Sequence, residues 1–368
     1  MISRRMDKID SSGIRKVFNL SKEMKNPIDL SIGQPDFDVP DRIKEEAIKA
    51  MRDGFNKYTK TEGIPELRKR IAKKLKEENN IQVSPDNILV TSGVSGGLLL
   101  AFNALLDKGD EVIIPDPYFV MYKHLVNFIE AVPRYVDTYP DFGLDIDRIN
   151  RAINKKTKVI ILNSPGNPTG NVYSKEELEQ IRDLAKEHDL VIISDEVYEK
   201  FIYEKAYFSI GSIYEKTITL NGFSKAYAMT GWRIGYAAGP LEIIQEMAKL
   251  QQYSFVCAPS FAQKAALIAL DCDVSEHIKR YKEKRDLVYA GLKDHFHVQK
   301  PKGGFYIFPE VNKNLSATEF VKKAIENNVL IIPGNIFSEK DTNFRISFAT
   351  SNDIIEKGVE ILNEISTS

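Results

Sequence analysis

Along the middle of the chain, short β-branched runs alternate with longer stretches whose apolar positions recur at helical spacing. This is the pattern of a mainly parallel sheet covered by helices. The spacing predicts strands at Ile88–Val90, Glu111–Ile114, Lys158–Leu162, Leu190–Ser194, Thr217–Leu220 and Ile234–Ala238. Ser174 opens a helical stretch to Glu187, with Glu177 three residues on, a capping box ahead of apolar Leu178, Ile181, Leu184 and Ala185. From Ser275 a charged helix pattern runs to about His295. It is followed by extended Phe305–Pro309, a helix over Ser316–Asn327, extended Val329–Ile332 and Phe344–Ala349, and a final helix from Ser351.

That tail reads as a smaller α+β domain. The segment before Tyr58 shows no comparable strand series, and Leu30–Asp36 reads as a structured loop returning to the smaller domain. The expected organisation is an N-terminal arm with part of the small domain over 1–45, a large α/β domain over 46–274 and a small C-terminal domain over 275–368. No internal repeat, low-complexity tract or flexible linker separates them, so they are expected to pack closely.

Composition narrows the classes. The 368 residues carry 51 Lys+Arg against 52 Asp+Glu, a net charge of −1, without the basic excess that nucleic-acid binding requires. Apolar runs such as Ile160–Leu162 and Val191–Ile193 fall far short of the roughly 18 residues of a spanning helix. Residues 1–10 carry Arg4, Arg5, Asp7 and Lys8 with no apolar stretch behind them, so neither a secretory nor a lipidation signal is read and the expected compartment is the cytoplasm. Two cysteines, Cys257 and Cys272, make neither a disulfide framework nor a cysteine zinc site. His295 and His297 share a strand face on a two-residue period but have no third ligand, so no metal is expected.

In doubly wound sheets ligands bind beyond the carboxyl ends of the strands, and here the residues after the predicted strands are polar. Val90 is followed by Thr91-Ser92-Gly93-Val94-Ser95-Gly96-Gly97 and an apolar helix start. Such a turn exposes backbone N–H groups at a helix N-terminus, an anion site, although the same composition also makes an ordinary tight turn. It fits neither the dinucleotide fingerprint nor the P-loop. Leu162 leads into Asn163-Ser164-Pro165-Gly166-Asn167-Pro168-Thr169-Gly170, a loop stiffened by proline in which Asn167 offers an amide.

Ser194-Asp195-Glu196-Val197-Tyr198 places a carboxylate at the end of a strand buried on both faces, where it requires a cationic or hydrogen-bonding partner. Gly222-Phe223-Ser224-Lys225 continues into Met229-Thr230-Gly231-Trp232-Arg233-Ile234-Gly235. Lys225 thus sits in an apolar, aromatic setting where desolvation favours the neutral, nucleophilic amine. Singly, each residue also has a structural reading: a satisfied strand-end acid, a surface lysine, an ion-paired arginine. Together, on one sheet edge, they would all find partners on a phosphate-bearing aldehyde cofactor with a pyridine nitrogen.

These motifs, with Ile32-Gly33-Gln34-Pro35-Asp36-Phe37 before them and Phe344-Arg345-Ile346-Ser347 after, resemble the pyridoxal-phosphate-dependent class I/II aminotransferases of fold type I, nearest to the prokaryotic aspartate and aromatic enzymes. The resemblance implies that Lys225 binds the cofactor aldehyde covalently and moves the substrate α-proton. Asp195 would keep the pyridine nitrogen protonated, a better electron sink. Asn167 and Tyr198 would bond the ring 3′ oxygen, and Phe119 would stack on the ring. Val94 and Ser95 N–H groups, the Ser95 hydroxyl, Arg233 and Ser224 would hold the phosphate.

Tyr58 would reach the neighbouring site's phosphate, making the active unit a homodimer. Arg345 would clamp the substrate α-carboxylate, beside Gly33 and the Asn167 amide. Ser12, Gly13 and Ile14 match a segment that closes over substrate in relatives.

One branch of the family has lysine where Ser95 stands, so aspartate preference is not implied; Arg15 is a candidate substitute. Phe18, Phe119, Tyr122 and Phe255 would suit aromatic side chains. The implied activity is ping-pong transfer of an amino group from an L-amino acid, aspartate or aromatic, to a 2-oxo acid such as 2-oxoglutarate. The alternatives are a C–S β-lyase on the same scaffold and, more remotely, a non-catalytic effector-binding protein, although the chain has no room for the DNA-binding domain such proteins carry.

Overall fold

The computed structural model describes residues 2–11, 13–14, 17, 20, 22–204, 206–312 and 314–367; Ser12, Arg15 and Phe18, singled out above, lie outside them. Seven strands form the central sheet in the spatial order Ile88–Thr91, Gly235–Ala238, Thr217–Gly222, Val191–Asp195, Thr157–Asn163, Glu111–Asp116 and Val132–Asp137. Only Gly235–Ala238 runs antiparallel to its neighbours. The parallel strands therefore end at one edge, where Asn163 is registered with Asp195 and Asp195 with Leu220. The reversed strand begins at that edge, which brings Arg233, just ahead of it, to the same place.

The strands are continuous apolar runs because both faces are covered. Ile161, Ile193 and Val112 pack with Leu98, Phe102, Met247 and Ala248 of helices Gly93–Leu105 and Leu241–Ser254. Ile113, Ile160 and Ile192 pack with Leu178, Ile181 and Leu184 of helix Lys175–Glu187. The capping box is present: Ser174 Oγ accepts from Glu177 N at 3.1 Å, and Glu177 Oε2 accepts from Ser174 N at 2.7 Å.

Sequence reading missed the sheet-edge strand Val132–Asp137. Its residues are largely half-buried, so Val-Pro-Arg-Tyr-Val-Asp lacks both the apolar run and clean alternation, and its proline is tolerated at an edge. Val329–Ile332 is extended as predicted, and its side chains alternate, with Val329 and Ile331 in one apolar cluster and Leu330 and Ile332 in another. Its hydrogen bonding is divided, however. Val329–Leu330 pairs in parallel with Ile28–Asp29, whereas Ile332–Pro333 pairs antiparallel with Phe344–Arg345. Tyr306–Ile307 completes the three-stranded antiparallel sheet. No helix among the described residues is long and apolar enough to cross a membrane.

Candidate active site

A cleft of about 800 Å³ opens at the carboxyl edge of the central sheet, between it and the segment before Gln34 on one side and Tyr306 and Arg345 on the other. Gly33, Val94, Ser95, Phe119, Asn167, Asp195, Tyr198, Ser224, Lys225, Arg233 and Arg345 all line it. Tyr58 does not; its side chain is 83% exposed. Phe255 is also outside the lining and partly exposed.

The polar turn after Ile88–Thr91 becomes the first turn of Gly93–Leu105, a helix whose N-cap Ser92 makes no side-chain bond and whose first turn holds no acid. Its leading N–H groups keep their partial positive charge. Arg233, exposed at the cleft edge, adopts the left-handed conformation (φ 52°), which costs a non-glycine residue about 1–2 kcal/mol. Its Nη1 donates to Thr230 O at 2.9 Å. Gly93 has φ 68°, which favours glycine, and a Cβ there would lie 2.7 Å from Arg233 Nη2, so glycine lets the guanidinium lie against the turn without shifting. N–H groups and guanidinium together make an anion cradle.

Asp195 is buried at the sheet edge. Its Oδ2 accepts from the Tyr122 hydroxyl at 2.8 Å and its Oδ1 from Val197 N at 3.3 Å. Burial pushes its acid up to about 6, against the pull of Tyr122, Val197 and Lys225. Asn163 braces the surrounding loop: its Nδ2 donates to Asp195 O at 3.0 Å and its Oδ1 accepts from Asn167 N at 2.8 Å.

Lys225 Nζ donates to the Gly33 carbonyl at 2.6 Å. It lies 5.6 Å and 5.7 Å from the ring centroids of Tyr198 and Phe305. Burial of the amine, reinforced by Arg345 and Arg233, lowers its pKa to about 8 despite Asp195. About a tenth of the amine is therefore neutral at pH 7, far more than for an ordinary lysine, and the neutral form is the one that attacks carbonyls.

Arg345 is almost fully buried. Nη1 donates to Asn167 Oδ1 at 3.0 Å and Nη2 to Ser31 O at 2.8 Å, while Nε has no partner. The guanidinium is centred 4.5 Å from the Tyr306 ring and 4.6 Å from the Phe337 ring. Tyr306 also bonds the Tyr198 hydroxyl at 3.0 Å, and a Cβ on Gly33 would come within 2.5 Å of its oxygen. A buried cation with neutral partners and an unpaired N–H is prepared for a carboxylate.

Sequence reasoning listed Tyr122 only as an aromatic wall; it is the hydroxyl donor to Asp195. Tyr306, Phe337 and Ser31 were not singled out, and no local pattern marks them. Asn163 stood in a quoted motif without a role.

Toward the mouth the wall turns apolar. Met121, Leu125 and Phe128 line it from helix Val120–Phe128, Leu99 from Gly93–Leu105, and Ile9 and Ile14 from the N-terminal segment. Asp10 and His124 are polar side chains in this part. Burial, with Lys123 beside it, lowers the His124 pKa against the pull of Asp10.

Carboxylate, phenol, amide, partly neutral amine and an anion cradle form a donor and acceptor set that fits pyridoxal phosphate. The unpaired Nε of buried Arg345 is a structural mark of an anionic partner at that end.

The family model for aminotransferase class I and II matches residues 25–362. A probable aspartate aminotransferase of Methanocaldococcus jannaschii is 46% identical over 99% of this chain and 100% of its own length. Among solved structures, the aspartate aminotransferase of Thermus thermophilus with maleate superposes with a TM-score of 0.95 at 38% identity, covering 99% of both chains. The aromatic aminotransferase of Pyrococcus horikoshii gives 0.90 at 40% identity, over 95% of this chain and 98% of its own.

Proposed function

Because this chain belongs to the class I and II aminotransferases, pyridoxal-phosphate-dependent transaminases of fold type I, we propose that it moves the amino group of an aromatic or dicarboxylic L-amino acid to a 2-oxo acid such as 2-oxoglutarate, by a ping-pong route. One observation carries the assignment of roles. Lys225, Asp195, Arg345 and the Arg233-capped helix turn converge on one cleft from four separate stretches of chain. When bound, the cofactor supplies an aldehyde to take the amino group and a ring that withdraws electrons from the substrate α-carbon.

The chain's own residues do the rest. Arg345 receives the α-carboxylate and, with Asn167 and the Gly33 backbone, orients the α-carbon toward Lys225. Lys225 Nζ would anchor the cofactor and, once the substrate amine has displaced it, would be free to take the α-proton; burial lowers the pKa of the free amine to about 8, which favours a general base. Asp195 holds the ring nitrogen's proton, Asn167 and Tyr198 hold the 3′ oxygen, and Phe119 stacks on the ring. Val94, Ser95, Ser224 and Arg233 fix the phosphate. Apolar Met121, Leu125 and Phe128 support an aromatic donor alongside the aspartate named for the relatives.

Tyr58 completes the phosphate site of a second copy in a homodimer. Its exposure on the surface of one chain supports that part of the reading. The domain division at 45/46 and 274/275 belongs to the same proposal, supported by the pairing of Ile28–Asp29 with Val329–Leu330. The free thiols of Cys257 and Cys272 support a reducing, cytoplasmic setting.

The test is the ultraviolet-visible spectrum of the purified protein as single L-amino acids are added without oxo acid. Conversion of the visible cofactor band to the pyridoxamine form is expected, with aromatic donors and aspartate ranked in one plate. A persistent band with accumulating pyruvate and ammonia would instead mark a β-lyase.

A further inference from the structure

Tyr122 has no role in the proposed mechanism, yet among the described residues it is the only side-chain hydrogen-bond donor to Asp195, at 2.8 Å on Oδ2. Both residues are almost completely buried. We propose that Tyr122 is a positioning residue, whose hydroxyl keeps the Asp195 carboxylate ionised and aimed at the ring nitrogen of the cofactor. The inference rests on the reading of Asp195 given above.

Three observations lead there. A buried carboxylate without strong donors reverts to the neutral acid; the other direct bond to Asp195, from Val197 N, is long at 3.3 Å and falls on Oδ1. A phenol supplies what is missing without adding a charge that would compete with a pyridinium. Each oxygen thus has one donor, and Oδ1, whose bond to Val197 N is the longer, keeps capacity for a further one.

Tyr122 is also tied to the ring-stacking position. It lies one turn beyond Phe119, its N–H donates to Phe119 O at 3.0 Å, and the two rings meet edge to face at 5.7 Å and 83°. A single helix start, Phe119-Val120-Met121-Tyr122, thus sets both the residue on the ring face and the donor behind the ring nitrogen's partner. The Tyr122 phenol is itself far from ionising, because burial and the neighbouring Asp195 charge push its pKa well up, so it remains a donor throughout the accessible pH range.

The experiment titrates apoprotein, wild type and Tyr122→Phe, with pyridoxal 5′-phosphate and with its 1-deaza analogue, in which a C–H replaces the ring nitrogen. Phenylalanine keeps the volume and the contact with Phe119. A hydrogen bond to a charged group is worth roughly a tenfold or greater change in affinity. Tyr122→Phe is therefore expected to weaken pyridoxal phosphate about tenfold and leave the deaza analogue within about twofold. In turnover, kcat should fall about tenfold with little change in KM for the amino acid.

In an Asp195→Asn background, the effect of Tyr122→Phe on pyridoxal phosphate affinity should disappear. Equal weakening of both ligands would reduce Tyr122 to a packing residue, and no weakening of either would remove any role; each overturns the proposal while leaving Asp195 assigned. Equal binding of the two ligands by wild type would overturn the Asp195 reading and this proposal with it.

Discussion

Two lysines withdrawn from bulk water sit in contrasting surroundings. Lys74, outside the cleft and 3% exposed, pairs with Glu199 and donates to Asn79 Oδ1 at 2.7 Å, while Asn79 Nδ2 donates to Glu199 Oε2 at 2.7 Å. Burial works against the Glu199 charge, but Lys74 and Asn79 outweigh it and hold the acid below its usual range. Among the described residues Lys225 has only a backbone carbonyl as hydrogen-bond partner, with two arginines nearby and a lowered pKa. The first lysine is satisfied by the fold; the second is left with bonding capacity directed at a ligand.

The neighbouring carboxylates repeat the lesson. Asp195 faces the cleft, whereas Glu196 is enclosed, its Oε1 taking the Ser194 and Ser209 hydroxyls at 2.9 Å and 2.5 Å. Burial raises both acids, yet only Asp195 can meet a small molecule. Burial and charge do not by themselves distinguish reactive from structural groups; access does.

The comparison breaks most readily at Lys225. Lys225→Ala is expected to lower turnover by at least ~10⁴-fold, the upper range for loss of a general base alone, and to abolish the imine absorbance band while thermal unfolding changes little. Lys74→Met should do the reverse. Leaving Glu199 unpaired costs about 3–5 kcal/mol of stability in a denaturant titration, with kcat intact below the transition; lost turnover in folded protein would erase the distinction.

Arg345→Ala removes the other cation held by neutral partners. It is expected to raise KM for amino acids about 30-fold or more, from the ~2–5 kcal/mol of a truncated buried charge contact, with cofactor binding retained. Unchanged KM would place the carboxylate elsewhere.

The smallest effect is one of pH. Because the folded pKa of Lys225 lies below its ordinary value, at about 8, its contribution to apoprotein stability is complete above about 10.5 and is lost as pH falls through about 8. The neutral amine of the folded protein titrates at about 8 alone. Cofactor reloading of apoprotein should accelerate about tenfold per pH unit up to about 8 and level off above, and stopped-flow absorbance would show it. A profile flat from pH 6 to 9 would mean that the amine is not the titrating group.

Much of the site was legible before the fold. Strand ends rich in Ser, Asn, Asp and Gly stand out against apolar runs, and Lys225 announces its desolvation through Phe223, Ala226 and Tyr227 beside it. The partner that Asp195 had to have was inferred from burial alone, but not its identity, since Tyr122 lies 73 residues away on a helix whose aromatic spacing reads equally well as core. The same holds for Arg345, whose bonds to Asn167 and Ser31 span 178 and 314 residues.

The sequence by itself determined six of the seven strands of the central sheet, the carboxyl edge as the reactive one, and the residue types gathered there. These follow from periodicity and from the cost of burying polar groups, which act over a few residues at a time. Only the tertiary structure decided which donor meets which acceptor: that Val329–Ile332 changes ladder partners midway, that Arg345 lies between Tyr306 and Phe337, and that Tyr122 donates to Asp195. Those pairings depend on how distant segments cross, and a hydrogen bond a few ångströms long is fixed by that crossing rather than by any pattern along the chain.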